Sequence, residues 1–172
     1  MSTDELHEMR HSLAHIMAQA VQHLWPQAKF GVGPAIDDGF YYDIDLGGAT
    51  ISEDDFPKIE KEMKKIIAAN YPFERRDVPI EDAIAWAERN HQVFKLELLN
   101  DLKRSGTTVA KELIGEDLGS VTDRDSKLKT VSLYSQGDYT DLCRGGHADS
   151  TGKVGAFKLM RVAGAYWRGD EK

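Results

Sequence analysis

Two short motifs stand far apart in the chain, His11-x-x-x-His15 and Cys143-x-x-x-His147. Imidazole and thiolate are the side chains that exchange protons near neutral pH, attack carbonyl carbon or ligate zinc. On a helix, four-residue spacing puts His11 and His15 on one face, one turn apart. The second pair lies in Asp141-Leu142-Cys143-Arg144-Gly145-Gly146-His147, where two glycines let the backbone turn sharply. If the segments converge, three imidazoles and one thiolate form a Cys₁His₃ zinc set. Filled at all four positions it is a closed structural site; with one ligand displaced it offers a place for water. Each pair alone also reads as solvated polar residues met by chance. The lone cysteine, with a histidine four residues on, tips the balance towards a site.

Other residues are weighed the same way. Lys95 lies amid Val93, Phe94, Leu96 and Leu98, where burial would lower an amine's pKa. Its ordinary reading is a lysine that snorkels from an amphipathic helix. Asp141 is placed to orient an imidazole or to receive a substrate hydroxyl or amine; otherwise it is a turn aspartate. Tyr41 and Tyr42 alternate across a strand, so that one lines a pocket while the other packs. Tyr166 and Trp167, beside Arg168, either stack a base or fill the core. Gly31-Val32-Gly33-Pro34 is no dinucleotide fingerprint, because its spacing is wrong and no helix follows.

The elements that must position these groups follow from periodicity. Leu6, Met9, Leu13, Ile16, Met17, Ala20 and Leu24 predict an amphipathic helix over 4–24, with the two histidines opposite the apolar stripe and Ala14 and Ala18 leaving room beside them. Trp25-Pro26 ends it. Asp38-Gly39, between β-prone runs, predicts a hairpin within 30–46. A second helix starts between Ser52 and Asp55, buries Phe56, Ile59, Met63, Ile66 and Ile67, and stops at Tyr71-Pro72. A strand over 73–78, a short helix from Pro79 to about Asn90 and a helix over 93–103 come next. Gly106 to Ser126 reads as a loop or lobe junction. Strands are expected over 128–135 and 157–167, the latter bent at Gly164. The expected class is α+β, an antiparallel sheet packed against helices, with two small lobes around a shared cleft.

At 172 residues the chain fits one domain or two small lobes with a common core. Hydrophobic residues at 41% and charged residues at 30% are the balance of a folded soluble chain. No apolar run approaches the roughly 18–20 residues that cross a bilayer, so no membrane partner is expected. The acidic N-terminus has no apolar core of a secretory signal. A single cysteine points to a reducing compartment, most simply the cytoplasm. Net charge is −7, which disfavours a general nucleic-acid binder, yet residues 143–172 carry +3 and the remainder −10. That basic C-terminal segment is suited to a phosphate backbone.

Four segments in order now carry a resemblance: Arg10-His11-Ser12-x-x-His15; Ile36 through Asp43 (Ile-Asp-Asp-Gly-Phe-Tyr-Tyr-Asp); Asp141 through His147; and Phe157-Lys158-Leu159-Met160 with Ala163 through Asp170. The chain resembles the N-terminal editing domain of bacterial threonyl-tRNA synthetases, a module shared with alanyl-tRNA synthetases and their freestanding relatives. The resemblance runs from Arg10 to Lys172. The small ubiquitin-like domain that often precedes the module is missing, and the chain stops where family members lead towards the aminoacylation core. A fragment of a synthetase is therefore expected over a standalone protein.

The resemblance implies hydrolysis of serine from mischarged tRNA(Thr), at the ester on the terminal adenosine. A synthetic site for threonine rejects serine poorly, since one methyl group is worth only about 1–3 kcal/mol. A second, hydrolytic pocket that admits serine and excludes threonine supplies the missing discrimination. Its nucleophile is water, and His11 is the expected general base. Lys95 matches the family's pocket lysine, which reverses its ordinary reading; His15, Cys143 and His147 complete the pocket. Asp141 is expected to bind the seryl hydroxyl or amine, and Tyr42 the terminal nucleotide. The partners implied are tRNA(Thr) bearing serine and the aminoacylation and anticodon-binding domains of the same synthetase. The alanyl-type relatives hold zinc at the positions of His11, His15, Cys143 and His147, whereas the threonyl branch works without it; no cofactor is expected, with zinc as the alternative. Competing readings are a zinc-dependent alanyl-type trans-editing deacylase and a noncatalytic tRNA-binding module.

Overall fold

The computed structural model describes residues 1–105 and 130–164, so the loop expected between Gly106 and Ser126 and the aromatic pair Tyr166 and Trp167 lie outside the described residues. The fold is α+β.

Helix α1, Thr3–Leu24, begins in a capping box: Ser2 Oγ accepts from the Glu5 amide while the Glu5 carboxylate accepts from the Ser2 amide. From His11 to Val21 nearly every residue is buried. The expected split into an apolar face and a polar histidine face is thus corrected. The helix is covered on all sides through its middle because α2, a hairpin and the loop after the last strand each pack on it.

That hairpin consists of β1 (Lys29–Phe30) against β4 (Ile44–Asp45) and β2 (Ala35–Ile36) against β3 (Gly39–Phe40), all antiparallel. Between the two pairings the Gly31 amide donates to Asp43 O and the Asp43 amide to Val32 O, so the arms form one interrupted ribbon. Its turn is Asp37-Asp38, one residue earlier than expected, because Gly39 pairs with Ile36 inside β3. A 3₁₀ turn over Glu53–Asp55 then leads into α2, Phe56–Ala69, which Asn70 ends in the left-handed conformation at φ 52°.

Strand β5 (Glu74–Pro79) runs straight into α3 (Ile80–Arg89), followed by α4 (Val93–Ser105). Strands β6 (Thr130–Gln136) and β7 (Tyr139–Leu142) complete an antiparallel sheet in the order β5-β6-β7. β7 was not expected as a strand. It is four residues long, and the periodicity assigns Tyr139 and Thr140 to no element. The strand expected over 157–167 is corrected for its described part: residues 157–164 belong to no sheet. Phe157 and Leu159 pack on the α1–α2 core and the Leu159 amide donates to Glu60 Oε1, so a side chain takes a bond that a neighbouring strand would otherwise make.

Two apolar clusters hold the elements. One joins α1, α2 and the hairpin through Leu13, Ile16, Val21, Phe30, Ile59, Met63 and Tyr139. The other joins α3, α4 and the sheet through Ile80, Leu98, Leu99, Leu102, Leu133 and Leu142. Alternation along β7 therefore sends Tyr139 into the first and Leu142 into the second. The strand that carries Asp141 lies between the clusters.

Candidate functional site

The two remote motifs meet. One ligand atom each from His11, His15, Cys143 and His147 lies within 4.8 Å of the others. Cys143 Sγ is 3.4 Å from His11 Nε2 and 3.3 Å from His147 Nε2, and the Gly145 amide donates to the sulfur at 3.4 Å. Two imidazoles and an amide N–H thus surround one sulfur.

α1 supplies His11 and His15, and the loop after β7 supplies the rest. Ser12, between the histidines and fully buried, fastens the two together. Its hydroxyl donates to Glu8 O at 2.7 Å and accepts the Ala148 amide at 2.8 Å. Gly145 has φ 119° and packs under Tyr134, whose hydroxyl oxygen is 2.5 Å from where a Cβ would sit. Only glycine fits both the backbone angle and the space.

Ring packing fixes the imidazoles. His147 stacks on Phe73, centroids 4.9 Å apart and planes within 4°, and on His11 at 4.2 Å. Tyr134 tilts against it at 4.7 Å. Burial, reinforced by His15 and His11, drives His147 far below the ordinary histidine value. Burial likewise lowers His15 well below 6.5, with His11 and Lys95 adding to the effect. Both are neutral at physiological pH, and among the described residues the buried Nδ1 atoms of both have no hydrogen-bond partner.

A second group adjoins the first. Lys95 Nζ pairs with Asp141 Oδ1 at 2.9 Å, and the side chains are 3% and 2% exposed. Lys95 is therefore no snorkelling residue. Asp141 Oδ2 accepts from Tyr42 and, at 3.2 Å, from Tyr139, and lies 3.7 Å from His15 Nε2. Lys95 Nζ also donates to the Tyr42 hydroxyl at 3.2 Å. Burial, with Asp141 beside them, raises both phenols well above 10, so they act as neutral donors. Tyr41 is exposed while its neighbour Tyr42, in the stretch between β3 and β4, joins this network. A cavity of about 80 Å³ reaches Lys95 and Asp141 past Trp86, Asn90 and Thr140.

The seven residues expected to form the pocket, His11, His15, Tyr42, Lys95, Asp141, Cys143 and His147, fall in one contiguous cluster. Sequence reasoning passed over Phe73, Tyr134 and Tyr139, and gave Ser12 no role. Tyr139-x-Asp141 on one strand face was a usable signal, hidden because β7 was not expected as a strand. Phe73 gave none.

The donor set fits a zinc ion. Sulfur-to-nitrogen separations of 3.3–3.4 Å are those of ligands sharing one small metal.

Comparison with known proteins places these features in context. Residues 131–172 match the family model of the threonyl and alanyl tRNA synthetase second additional domain. The chain is 47% identical over 163 residues to a threonine–tRNA ligase of Acetivibrio thermocellus, covering 95% of this chain and 22% of that protein. It is 48% identical over 167 residues to one of Listeria monocytogenes, covering 97% and 22%. With one of Bdellovibrio bacteriovorus it shares 45% over 172 residues, covering 99% and 23%. The chain spans about a fifth of the length of these relatives. Among the described residues no helix is long and apolar enough to cross a membrane.

Proposed function

We propose that this chain, akin along nearly its whole length to one segment of threonine–tRNA ligases, is an editing domain that hydrolyses seryl-tRNA(Thr) at the ester on the terminal adenosine. The observation that carries this reading is the junction of a histidine–cysteine cluster with a buried Lys95–Asp141 pair. Hydrolysis of such an ester needs a base for water, a cation for the developing oxyanion and acceptors for the amino acid's polar groups.

His11 takes the proton from the attacking water. His15 and His147, neutral through burial, put no competing positive charge beside it. Lys95 stabilises the oxyanion, and Asp141 with Tyr42 holds the seryl group and the terminal nucleotide. Water, as the nucleophile, leaves Cys143 to shape the pocket. The whole ligase, with its aminoacylation and anticodon-binding domains, is the setting proposed for this activity, in the cytoplasm.

A second reading follows from the donor set. His11, His15, Cys143 and His147 would hold a zinc ion, which when bound supplies Lewis acidity and lowers the pKa of water. That arrangement belongs to an alanyl-type deacylase acting on a different tRNA.

The deciding experiment is release of serine from seryl-tRNA(Thr) by this chain alone, set beside threonyl-tRNA(Thr) and seryl-tRNA(Ala), with and without chelator. Selective, chelator-resistant cleavage of seryl-tRNA(Thr) is expected. Cleavage of seryl-tRNA(Ala) abolished by chelator favours the second reading, and tRNA binding without cleavage overturns both.

A further inference from the structure

The solvent face of α2 is a row of lysines. Lys58, Lys61, Lys64 and Lys65 are exposed, while Ile59, Met63 and Ile66 are buried on the other side. At the helical angle per residue the four lysines occupy roughly a third of the circumference, with no acid among them. The helix's two glutamates flank that arc and are engaged elsewhere. Glu62 contacts His23 and Lys65, and Glu60 accepts the Leu159 amide. Lys58 pairs with Asp55 at 2.8 Å and Lys65 with Glu62 at 3.2 Å. Among the described residues no ion pair holds Lys61 or Lys64.

The positive charge continues beyond the helix. Glu60 anchors the extended segment that bears the exposed Lys158 and Arg161, and the 3₁₀ turn Thr151–Lys153, which packs on α2, carries the exposed Lys153. In a chain of net charge −7 this face is an exception.

We propose that the lysine face of α2 docks the phosphate backbone of an RNA, seating the body of the tRNA whose terminal adenosine enters the histidine–cysteine site. The identity of that RNA rests on the proposed editing function; the docking surface rests on charge. Polyphosphate complements a row of cations, each contact releasing a counterion. A lipid surface fits less well, since the apolar side of α2 is already spent on the core and offers nothing to insert. Docking here would also be coupled to the site. Thr151 Oγ1 donates to Ile66 O at 2.8 Å and accepts the Tyr71 amide at 2.9 Å. These bonds tie the C-terminal end of α2 to the backbone four residues past His147.

The test uses the full chain with Lys61→Glu and Lys64→Glu together, and Lys61→Arg with Lys64→Arg as the charge-conserving control. Kd for tRNA(Thr) is measured across a salt series, and kcat and KM for seryl-tRNA(Thr) are compared with cleavage of the seryl ester of adenosine, which has no phosphodiester backbone. The charge-reversed variant is expected to raise Kd and KM by about tenfold or more at low salt and to flatten the log–log salt slope by about 1–2. Its kcat, and its rate on the small ester, follow the wild type, and the arginine control matches the wild type throughout. An unchanged Kd and salt slope would overturn the proposal. So would equal losses on tRNA and on the small ester, or binding of wild type to phosphatidylserine vesicles but not to tRNA. A wild type that binds tRNA in this charge-dependent way without cleaving seryl-tRNA(Thr) would fail the editing reading and leave the docking face standing.

Discussion

Lys95 and Asp141 form an ion pair inside the protein, ammonium to carboxylate 2.9 Å, with almost no solvent at either side chain. The carboxylate is held by the lysine on one oxygen and by Tyr42 and Tyr139 on the other. Removing one partner from such a pair strands the other charge, at a cost of about 3–5 kcal/mol. Lys95→Met and Asp141→Leu are each expected to lower urea-unfolding stability by that order. The double variant is expected to recover most of it while remaining inactive on seryl-tRNA(Thr). Additive losses in the double variant would show that the two are not coupled.

Gly33 sets the position of Tyr42. A Cβ at Gly33 would lie 2.1 Å from Tyr42 Cδ2 and 2.7 Å from its Cγ, too close for the flexible end of the side chain to escape. Gly33→Ala is expected to displace the ring from Asp141 and to lower stability by about 1–3 kcal/mol. Chemical denaturation and turnover, measured on the same preparation, should fall together; a variant with wild-type values for both would show that the ring has another seat.

Stability should depend on pH through His23. Burial alone would lower this imidazole, but its hydrogen bonds to Asp138 and Glu62 outweigh burial and raise it above 6.5. Its contribution is full below that ordinary value and is lost as pH climbs through the raised folded value. The bond from His23 lowers Glu62. Burial would raise Asp138, but its bonds to His23 and Gln19 prevail and lower it. The contribution of the carboxylates is present above their ordinary values of 4.5 and 3.8 and is lost as pH falls through the lowered ones. The melting temperature is expected to decline as pH rises from 6.5 through the raised value, and His23→Gln to flatten that decline. An alkaline limb that survives the substitution would assign it to other groups.

Cys143 sits within hydrogen-bonding reach of two imidazoles, so a thiolate nucleophile and a spectator differ in outcome. Under the water mechanism Cys143→Ser retains turnover within a few fold, whereas loss by a factor of about 10² or more would indicate a covalent route. Elemental analysis of the purified chain, with His15→Ala as comparison, decides the metal: one tightly held zinc per chain, lost in the variant, would support the alanyl-type reading.

The helices were legible because their signals are local. Pro26, Pro72 and Pro79 punctuate the chain, and the stripe of α2 appears in its sequence as Phe56, Ile59, Met63 and Ile66. The cluster was legible for a different reason: His11 and His15 share a helix face by spacing alone, and two glycines announce the turn before His147. What stayed hidden depends on tertiary packing. Nothing local marks Phe73 as the ring on which His147 stacks, and the burial of Lys95 needed knowledge of what lies opposite it. β7 was lost because four residues with one alternation are too few to distinguish strand from loop. Residues 157–164 failed in the opposite sense: a run expected as a strand became an extended segment on two helices, since β-prone residues report a half-buried surface and not a bonded neighbour.

The bond from Ser12 to the Ala148 amide, and the approach of Cys143 to His11, close loops of 136 and 132 residues. Closure over such spans is the slow, entropically uphill part of folding, gained only with the native topology. Under the proposed function, an incompletely folded chain is therefore silent, not indiscriminate. It lacks the means to strip correct amino acids from tRNA, and translation meets the fault as missed correction instead of wasted charging.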